Sequence, residues 1–377
     1  MKKEILFVIP EYSHGGTNKS LENLLSLLDK DKYSIHIYSI HEDGGKYYRE
    51  VFKDYILKKS LTYRFSHDNY LTRKIANLYK KYAGWKDWRK LYRREAMLLQ
   101  KNNRFDTVVA FQEGAATYFA SYFSKKVRKI AWIHCDYKDW ANKRQQEKDK
   151  RIYELYDKIV CVSETARESF CKVFPEYEDK STFVYNTLDS RTIKRMSNQD
   201  SATPDLDEDY FKIISVGRLS FVKQFHKIPS IINAMGNEIS NRIRWYIIGS
   251  GVQEKRISKE IEKYGLENVV VMLGPKDNPY PYFKQSDLYV CTSKSESFSY
   301  TIFESKILHT PVVSNNFPVA YEVLEKNCGW VCSIDEMPSL ITDLINDKDG
   351  IYSDVKKSIE GYEYDNKSII EKIDELI

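Results

Sequence analysis

The chain has 377 residues, too many for one ordinary core and suited to two domains. Its 42% hydrophobic and 30% charged content describes a globular protein in water, and no apolar run approaches the length of a membrane span. The net charge is only +5, yet from Leu57 to Arg104 fourteen Lys/Arg stand against three acidic residues, so this segment carries +11 and the rest of the chain −6.

The N-terminus, M-K-K-E-I-L-F-V-I-P-E, has a short apolar run with β-branched residues and no small-residue cleavage site. It reads as a first buried strand, not a secretion signal. Further strands are predicted at Ser34–Ile40, Thr107–Phe111, Lys129–His134, Lys158–Val162 and Thr182–Tyr185. Between the first two, Leu21, Leu24, Leu25 and Leu28 form a helical stripe. Residues 1–190 thus read as one α/β domain. The basic segment 57–104 also carries eight aromatic residues, among them Trp85, Trp88 and Tyr92. It reads either as a patch for an anionic surface or as a solvated helical pair with its rings packed inward. The polar stretch 191–210, with a lone Pro204, reads as a linker.

A second α/β series follows over 211–359, with strands at Lys212–Val216, Arg244–Ile248, Val269–Leu273, Leu288–Thr292, Pro311–Ser314 and Gly329–Cys332. Strands alternating with helices indicate parallel sheets. The last helix, Lys367–Ile377, has Ile369, Ile370, Ile373 and Leu376 to bury, so the segment 360–377 must dock on a domain. None of the six cysteines forms a C-x-x-C pair, and Cys328 and Cys332 lack the second pair of ligands that a zinc site needs. They read as small buried thiols of a cytoplasmic protein.

The stretch Ser293–Asn316 carries most of the chemistry. Glu296 follows the strand Leu288–Thr292, and Glu304 lies in the helical turns after it, eight residues on. Ligands of open α/β sheets bind at the carboxyl ends of strands, and carboxylates accept hydrogen bonds from paired hydroxyls such as those of sugars and ribose. Arg218 and Lys223, after the strand Lys212–Val216, offer a planar fork and a mobile point charge to a diphosphate. Two cations in such a loop read as readily as a solvated pair. Gly15–Gly16 sits between the first strand and the Leu-striped helix, where backbone amides can approach an anion and Thr17 or Asn18 can cap the helix. Gly249 and Gly274 end two further strands and suit either a flat ring or a tight turn. His134 ends K-I-A-W-I-H. The sequence holds no G-x-G-x-x-G, P-loop, G-x-S-x-G or H-E-x-x-H pattern.

Taken in order, these pieces resemble the retaining glycosyltransferases of family 4, the glycosyl transferases group 1 set. The resemblance rests on G-G at 15–16, H at 134, C-V-S-E at 161–164, Y-N-T-L-D at 185–189, V-G-R-L…K at 216–223, I-I-G-S-G at 247–251, L-G-P-K-D-N at 273–278 and E-S-F-S-Y-T-I-F-E at 296–304. It implies a GT-B architecture: two Rossmann-like parallel-sheet domains facing across a cleft, with the C-terminal helix crossing back to the first. It implies a nucleotide-sugar donor, with UDP the expected nucleotide, and a glycan or lipid-linked glycan acceptor. It implies no cofactor and no metal; nucleic acid, the other usual partner of a basic patch, has no further support in the sequence, so none is expected.

In that resemblance Arg218 and Lys223 hold the diphosphate, helped by Gly15–Gly16. Glu304 takes the ribose, Glu296 the donor sugar, and His134 meets the transferred sugar from the acceptor side. The backbone at Phe298, Ser299, Tyr300 and Thr301 meets phosphate or sugar, the loop from Gly274 to Asn278 lines the base, and Gly249 belongs to the donor site. Relatives carry Gly where Ser297 and Ser299 stand, so the loop geometry is expected to differ there. Surface-polysaccharide synthesis at the cytoplasmic membrane face is the expected setting. The competing classes are a sugar-nucleotide epimerase or phosphorylase on the same fold, and a catalytically silent sugar-nucleotide-binding partner subunit. Donor hydrolysis without acceptor separates a transferase from an epimerase, and intact Arg218, Lys223, Glu296 and Glu304 argue against a silent subunit.

Overall fold

All twelve apolar runs form strands. In the computed structural model, which describes residues 1–13, 15–41, 46–58, 85–199, 206–325 and 327–377, the first six are β1 Lys3–Ile9, β2 Tyr33–Ser39, β3 Thr107–Ala110, β4 Arg128–Ile133, β5 Lys158–Cys161 and β6 Ser181–Phe183. They pair in parallel in the order β2-β1-β3-β4-β5-β6. The other six are β7 Phe211–Val216, β8 Ile243–Ile248, β9 Val270–Gly274, β10 Leu288–Cys291, β11 Val312–Asn315 and β12 Gly329–Cys332. They pair in parallel in the order β12-β11-β10-β7-β8-β9. Both sheets are doubly wound, Rossmann-like arrangements. The strand order reverses between β1 and β3 in one and between β7 and β10 in the other.

The composition of the strands follows from this burial. A parallel sheet covered on both faces needs near-continuous apolar strands, and Ile5 through Ile9 are all fully buried. The chain divides into two compact units, Met1–Leu188 with Asp365–Ile377, and Asp189–Tyr364. The stretch expected as a linker begins with a helix, Ser190–Ser197, that belongs to the second unit. Asp189 caps it, accepting from Thr192 N at 2.9 Å, and Asn278 donates to its Met196 carbonyl at 2.9 Å. The signal for this helix was its Asp cap followed by a short 3.6-residue stripe, Ile193 and Ser197, hidden among charges.

The last helix, Asn366–Leu376, is tied to the first unit by polar contacts. Asp374 accepts from Lys32 and from the Tyr33 hydroxyl, each at 2.8 Å, and Lys3 donates to the Ile377 carbonyl at 2.8 Å. The Asn366 amide exchanges two hydrogen bonds with the Leu188 backbone, at 3.1 and 2.6 Å. Of the basic segment 57–104, residues 59–84 lie outside the described residues. No described helix is long and apolar enough to cross a membrane.

One residue is held against its backbone preference. His309 follows the helix Tyr300–Ile307 with φ +59°, in the left-handed region where helices usually place glycine. Its Nε2 is buried without a hydrogen-bond partner among the described residues. Left-handed strain of about 1–2 kcal/mol, less the roughly 0.4–1 kcal/mol by which glycine favours the unfolded chain, leaves a gain on the order of 1 kcal/mol for glycine here. His309→Gly is therefore expected to raise the denaturation midpoint. A lower midpoint would mean that the imidazole packing outweighs the strain.

Candidate functional site

The sheet order of the second unit selects its binding edge. Doubly wound sheets bind ligands beyond the carboxyl ends of the strands where the order reverses, here the ends of β7 and β10. The β7 loop carries Arg218 and Lys223, and the β10 loop carries Glu296. Two bonds staple the loops together: the Thr292 hydroxyl donates to the Lys223 carbonyl at 2.7 Å, and Lys294 N donates to the Val222 carbonyl at 2.7 Å. Gly217 leaves room for the lysine stem, since a Cβ there would lie 3.2 Å from Lys223 Cε. Lys223 thereby reaches across the reversal point to Glu296, Nζ to Oε1 at 2.6 Å.

Glu296 is fixed from two sides. The Ser293 hydroxyl also donates to Oε1, at 2.7 Å, and the Asn315 amide at the end of β11 holds the Ser293 carbonyl at 2.9 Å. Oε2 makes no hydrogen bond to a described residue, so it is the atom left to accept from a ligand. Burial pulls the Lys223 ammonium down, but the carboxylate of Glu296, with smaller help from Cys291 and Glu304, outweighs it and raises the pKa. Lys223 thus stays charged, and both carboxylates act on it. Arg218 is exposed, whereas Lys223 and Glu296 are mostly covered, with side chains 19% and 16% exposed.

Glu304 stands on the helix Tyr300–Ile307, and the Tyr280 hydroxyl donates to its Oε1 at 3.2 Å. The helix itself is anchored by a buried lysine. Lys306 donates to the Val323 carbonyl at 2.8 Å and lies 4.2 Å from the Tyr362 ring centroid, and burial lowers its pKa. Ser299 opens the helix with φ +64°, so the serine does take the conformation that glycine suits. Its hydroxyl is buried and has no partner among the described residues. The Phe298 ring is buried and stacks on Phe303 at 4.7 Å, so only the backbone of residue 298 is placed to meet a ligand. Thr301 Oγ1 accepts from the buried Tyr289 hydroxyl at 2.6 Å, and Tyr300 packs edge-on against Phe298.

The glycines have a prior structural duty. A Cβ on Gly249 would sit 1.9 Å from the Gly217 carbonyl oxygen, so glycine is required there by the chain itself. Gly249 N donates to the Gly274 carbonyl at 3.0 Å and Gly217 N to the Ile248 carbonyl at 3.0 Å, which laces the ends of β7, β8 and β9 together. Gly274, at φ +69°, would meet nothing within 4 Å. Asn278 is turned away from this edge, its amide spent on the Met196 carbonyl.

In the first unit, His134 directly follows β4 and Gly15–Gly16 opens the helix Gly16–Leu27 after β1, both at carboxyl ends of strands. Gly15 itself is the cap, with no side-chain bond, so neither Thr17 nor Asn18 caps the helix. Asn18 is buried and instead donates to the Glu11 and Ser13 carbonyls at 3.0 and 2.7 Å, shaping the loop before it. Burial pushes the His134 imidazole down to about 3, so it is neutral at physiological pH, and its ring packs 4.9 Å from Phe111. The buried Glu113, beyond β3, accepts from His134 N at 2.9 Å, and burial raises its pKa. Sequence reasoning passed over Glu113, Tyr280, Ser293 and Asn315. Three of them follow or end predicted strands, but hydroxyls, amides and a lone carboxylate there carry no pattern of their own.

Comparison with known proteins decides the lineage. Residues 14–191 match the family described as Glycosyltransferase Family 4, and residues 196–358 match Glycosyl transferases group 1. The chain belongs to the family 4, group 1 glycosyltransferases. It is 22% identical to the amylovoran biosynthesis glycosyltransferase AmsD of Erwinia amylovora, over 88% of this chain and 86% of that one. It is 29% identical to the N-acetylgalactosamine-N,N'-diacetylbacillosaminyl-diphospho-undecaprenol 4-alpha-N-acetylgalactosaminyltransferase of Campylobacter jejuni, over 43% of this chain and 42% of that one. Against several curated relatives the chain spans under half of their length, 41% of the MJ1059 glycosyltransferase of Methanocaldococcus jannaschii for example. Among solved structures, Anabaena HepE in complex with UDP has the same fold, with TM-score 0.74 and 17% identity over 100% of this chain and 99% of that one.

Proposed function

We propose that this glycosyltransferase takes its sugar from a UDP-linked donor held by the second unit and transfers it, with retention, to a glycan or lipid-linked glycan during surface-polysaccharide synthesis. The observation that carries the reading is the convergence of Arg218, Lys223, Glu296 and Glu304 on the reversal point of the second sheet. Complexes of HepE with UDP and with UDP-glucose support a uridine donor. The names of the Erwinia and Campylobacter relatives support a polysaccharide or diphospho-undecaprenol-linked acceptor.

The chemistry follows from charge. Breaking the bond from sugar to diphosphate leaves oxocarbenium character on the sugar and growing negative charge on the departing oxygen. Fixed cations stabilise that charge without reorganising, and Arg218 and Lys223 supply them on this side. The backbone amides that open the helix at Tyr300, with the Ser299 hydroxyl, add donors of the same sense. The reading assigns the leaving group's charge to these groups and to no metal. Glu304 takes the ribose hydroxyls, and Glu296 Oε2 takes those of the donor sugar. The first unit, with His134 at a strand end, is assigned the acceptor.

Arg218 is the clean test, because it is exposed. Removing Lys223 instead leaves Glu296 uncompensated in a covered position, so loss of activity there mixes chemistry with stability. Arg218→Ala is expected to keep the thermal midpoint and to lower turnover of the donor by about a hundredfold, as loss of one oxyanion donor does elsewhere. Wild-type turnover in folded Arg218→Ala would remove the diphosphate assignment.

Attachment to an anionic membrane surface is part of the same reading. The described part of the basic segment supports it: the helix Trp85–Asn102 buries Tyr92, Ala96 and Leu99 and exposes Arg89, Lys90, Arg93, Arg94 and Lys101 on its other side. Met97 and Leu98 share that outer side, 58% and 40% exposed. Each cation near an anionic surface contributes roughly 1 kcal/mol, within a screening length of about 8–10 Å. The protein is expected to sediment with phosphatidylserine vesicles at low salt and to come off as salt rises. Neutral vesicles should not carry it. Lys90→Glu, Arg93→Glu and Arg94→Glu together should abolish sedimentation and leave UDP affinity unchanged. Wild-type protein that ignores anionic vesicles at low salt would assign the stripe to solvent.

A further inference from the structure

The Lys223–Glu296 pair is an unusual neighbour for a diphosphate. Binding an anion calls for uncompensated positive charge, yet the lysine at this edge is already paired with a carboxylate at 2.6 Å. The pairing is built in. Lys223 is bound over Gly217, its carbonyl is held by Thr292, and Glu296 is turned toward it by the Ser293 hydroxyl. With Glu304 also acting on Lys223, that ammonium answers to two carboxylates.

Two ligands of this edge differ in one respect. In a nucleotide sugar the distal phosphate is esterified, and hydroxyls stand where the sugar begins. In the free nucleoside diphosphate the same place holds an anionic oxygen, and the molecule carries about one more negative charge at neutral pH. Glu296 Oε2 accepts from a hydroxyl but repels an anionic oxygen. The free diphosphate must also compete with Glu296 for the Lys223 ammonium, whereas the sugar-capped one can leave that bond in place and use the two remaining N–H donors.

We propose that the Lys223–Glu296 ion pair is a specificity device: it makes the site prefer a sugar-capped diphosphate over the free diphosphate that the reaction leaves behind. Lys223 holds the diphosphate through the donors that Glu296 does not use, and Glu296 lowers affinity for the uncapped product while gripping the sugar. This inference rests on the donor reading above and adds to it a penalty on the product.

Calorimetry on the full chain at physiological salt, with UDP and UDP-glucose as the probes, tests it. Glu296→Gln keeps the shape and removes the charge. It is expected to bind UDP about five- to tenfold tighter than the wild type, the size of one like-charge contact partly screened by solvent. It should show no comparable gain for UDP-glucose, so the ratio of the two affinities shifts toward UDP. Glu296→Asp, which keeps the charge, should show no such gain. In a Lys223→Met background the gain from Glu296→Gln should shrink, because the competition for the ammonium is gone. A merely structural role for Glu296 would weaken both ligands. If Glu296→Gln does not fold, Glu296→Ala carries the same expectation. A folded variant that binds UDP no tighter than the wild type overturns the inference and leaves the donor reading standing. A wild type that binds neither UDP, GDP nor ADP overturns the donor reading, and this inference with it.

Discussion

One ion pair, Lys223 to Glu296, sets the character of the second unit's carboxyl edge. Each charge would cost more there without the other, since each side chain is largely covered. Together they fix the β7 loop to the β10 loop at the point where the strand order reverses. The neighbours exist to hold the pair: Gly217 makes room for the lysine stem, Thr292 holds the lysine backbone, and Ser293 with Asn315 turns the carboxylate. What the pair leaves for a ligand is one carboxylate oxygen and two ammonium donors, with Arg218 on the same loop.

The glycines of this edge serve the same constraint one layer lower. Gly249 lies so close to the Gly217 carbonyl that any side chain would push β7 and β8 apart. The strand ends are thereby laced into one rigid rim, and the charged loops stand on it. The helix carrying Glu304 is fixed separately, through buried Lys306 and the aromatic residues around it. Rigid placement matters because preorganised charge stabilises a transition state only if it does not have to move.

The fold was legible because both sheets are buried on both faces. Such strands read as unbroken apolar runs, and each of the twelve runs is a strand. The helix Ser190–Ser197 was not legible, because two apolar residues, Ile193 and Met196, among charges look like a linker and only its packing on the second unit reveals it. The candidate residues fell into place through position: strand ends are visible in sequence, so Arg218, Lys223 and Glu296 could be proposed. Their partners could not. That Lys223 pairs with Glu296, seventy-three residues away, depends on β7 and β10 being neighbours, which strand order and not local sequence determines. Ser299 goes against expectation: the serine was expected to change the loop because it tolerates a positive φ poorly, yet the backbone adopts φ +64° there.

The central claim is that the second unit's reversal point is the donor site. A crystal structure of the protein with UDP tests it most directly. The diphosphate should lie within about 3 Å of the Arg218 guanidinium and of Lys223 Nζ, with the ribose hydroxyls on Glu304. Uridine diphosphate bound elsewhere on the chain, away from Arg218 and Glu304, would contradict the account.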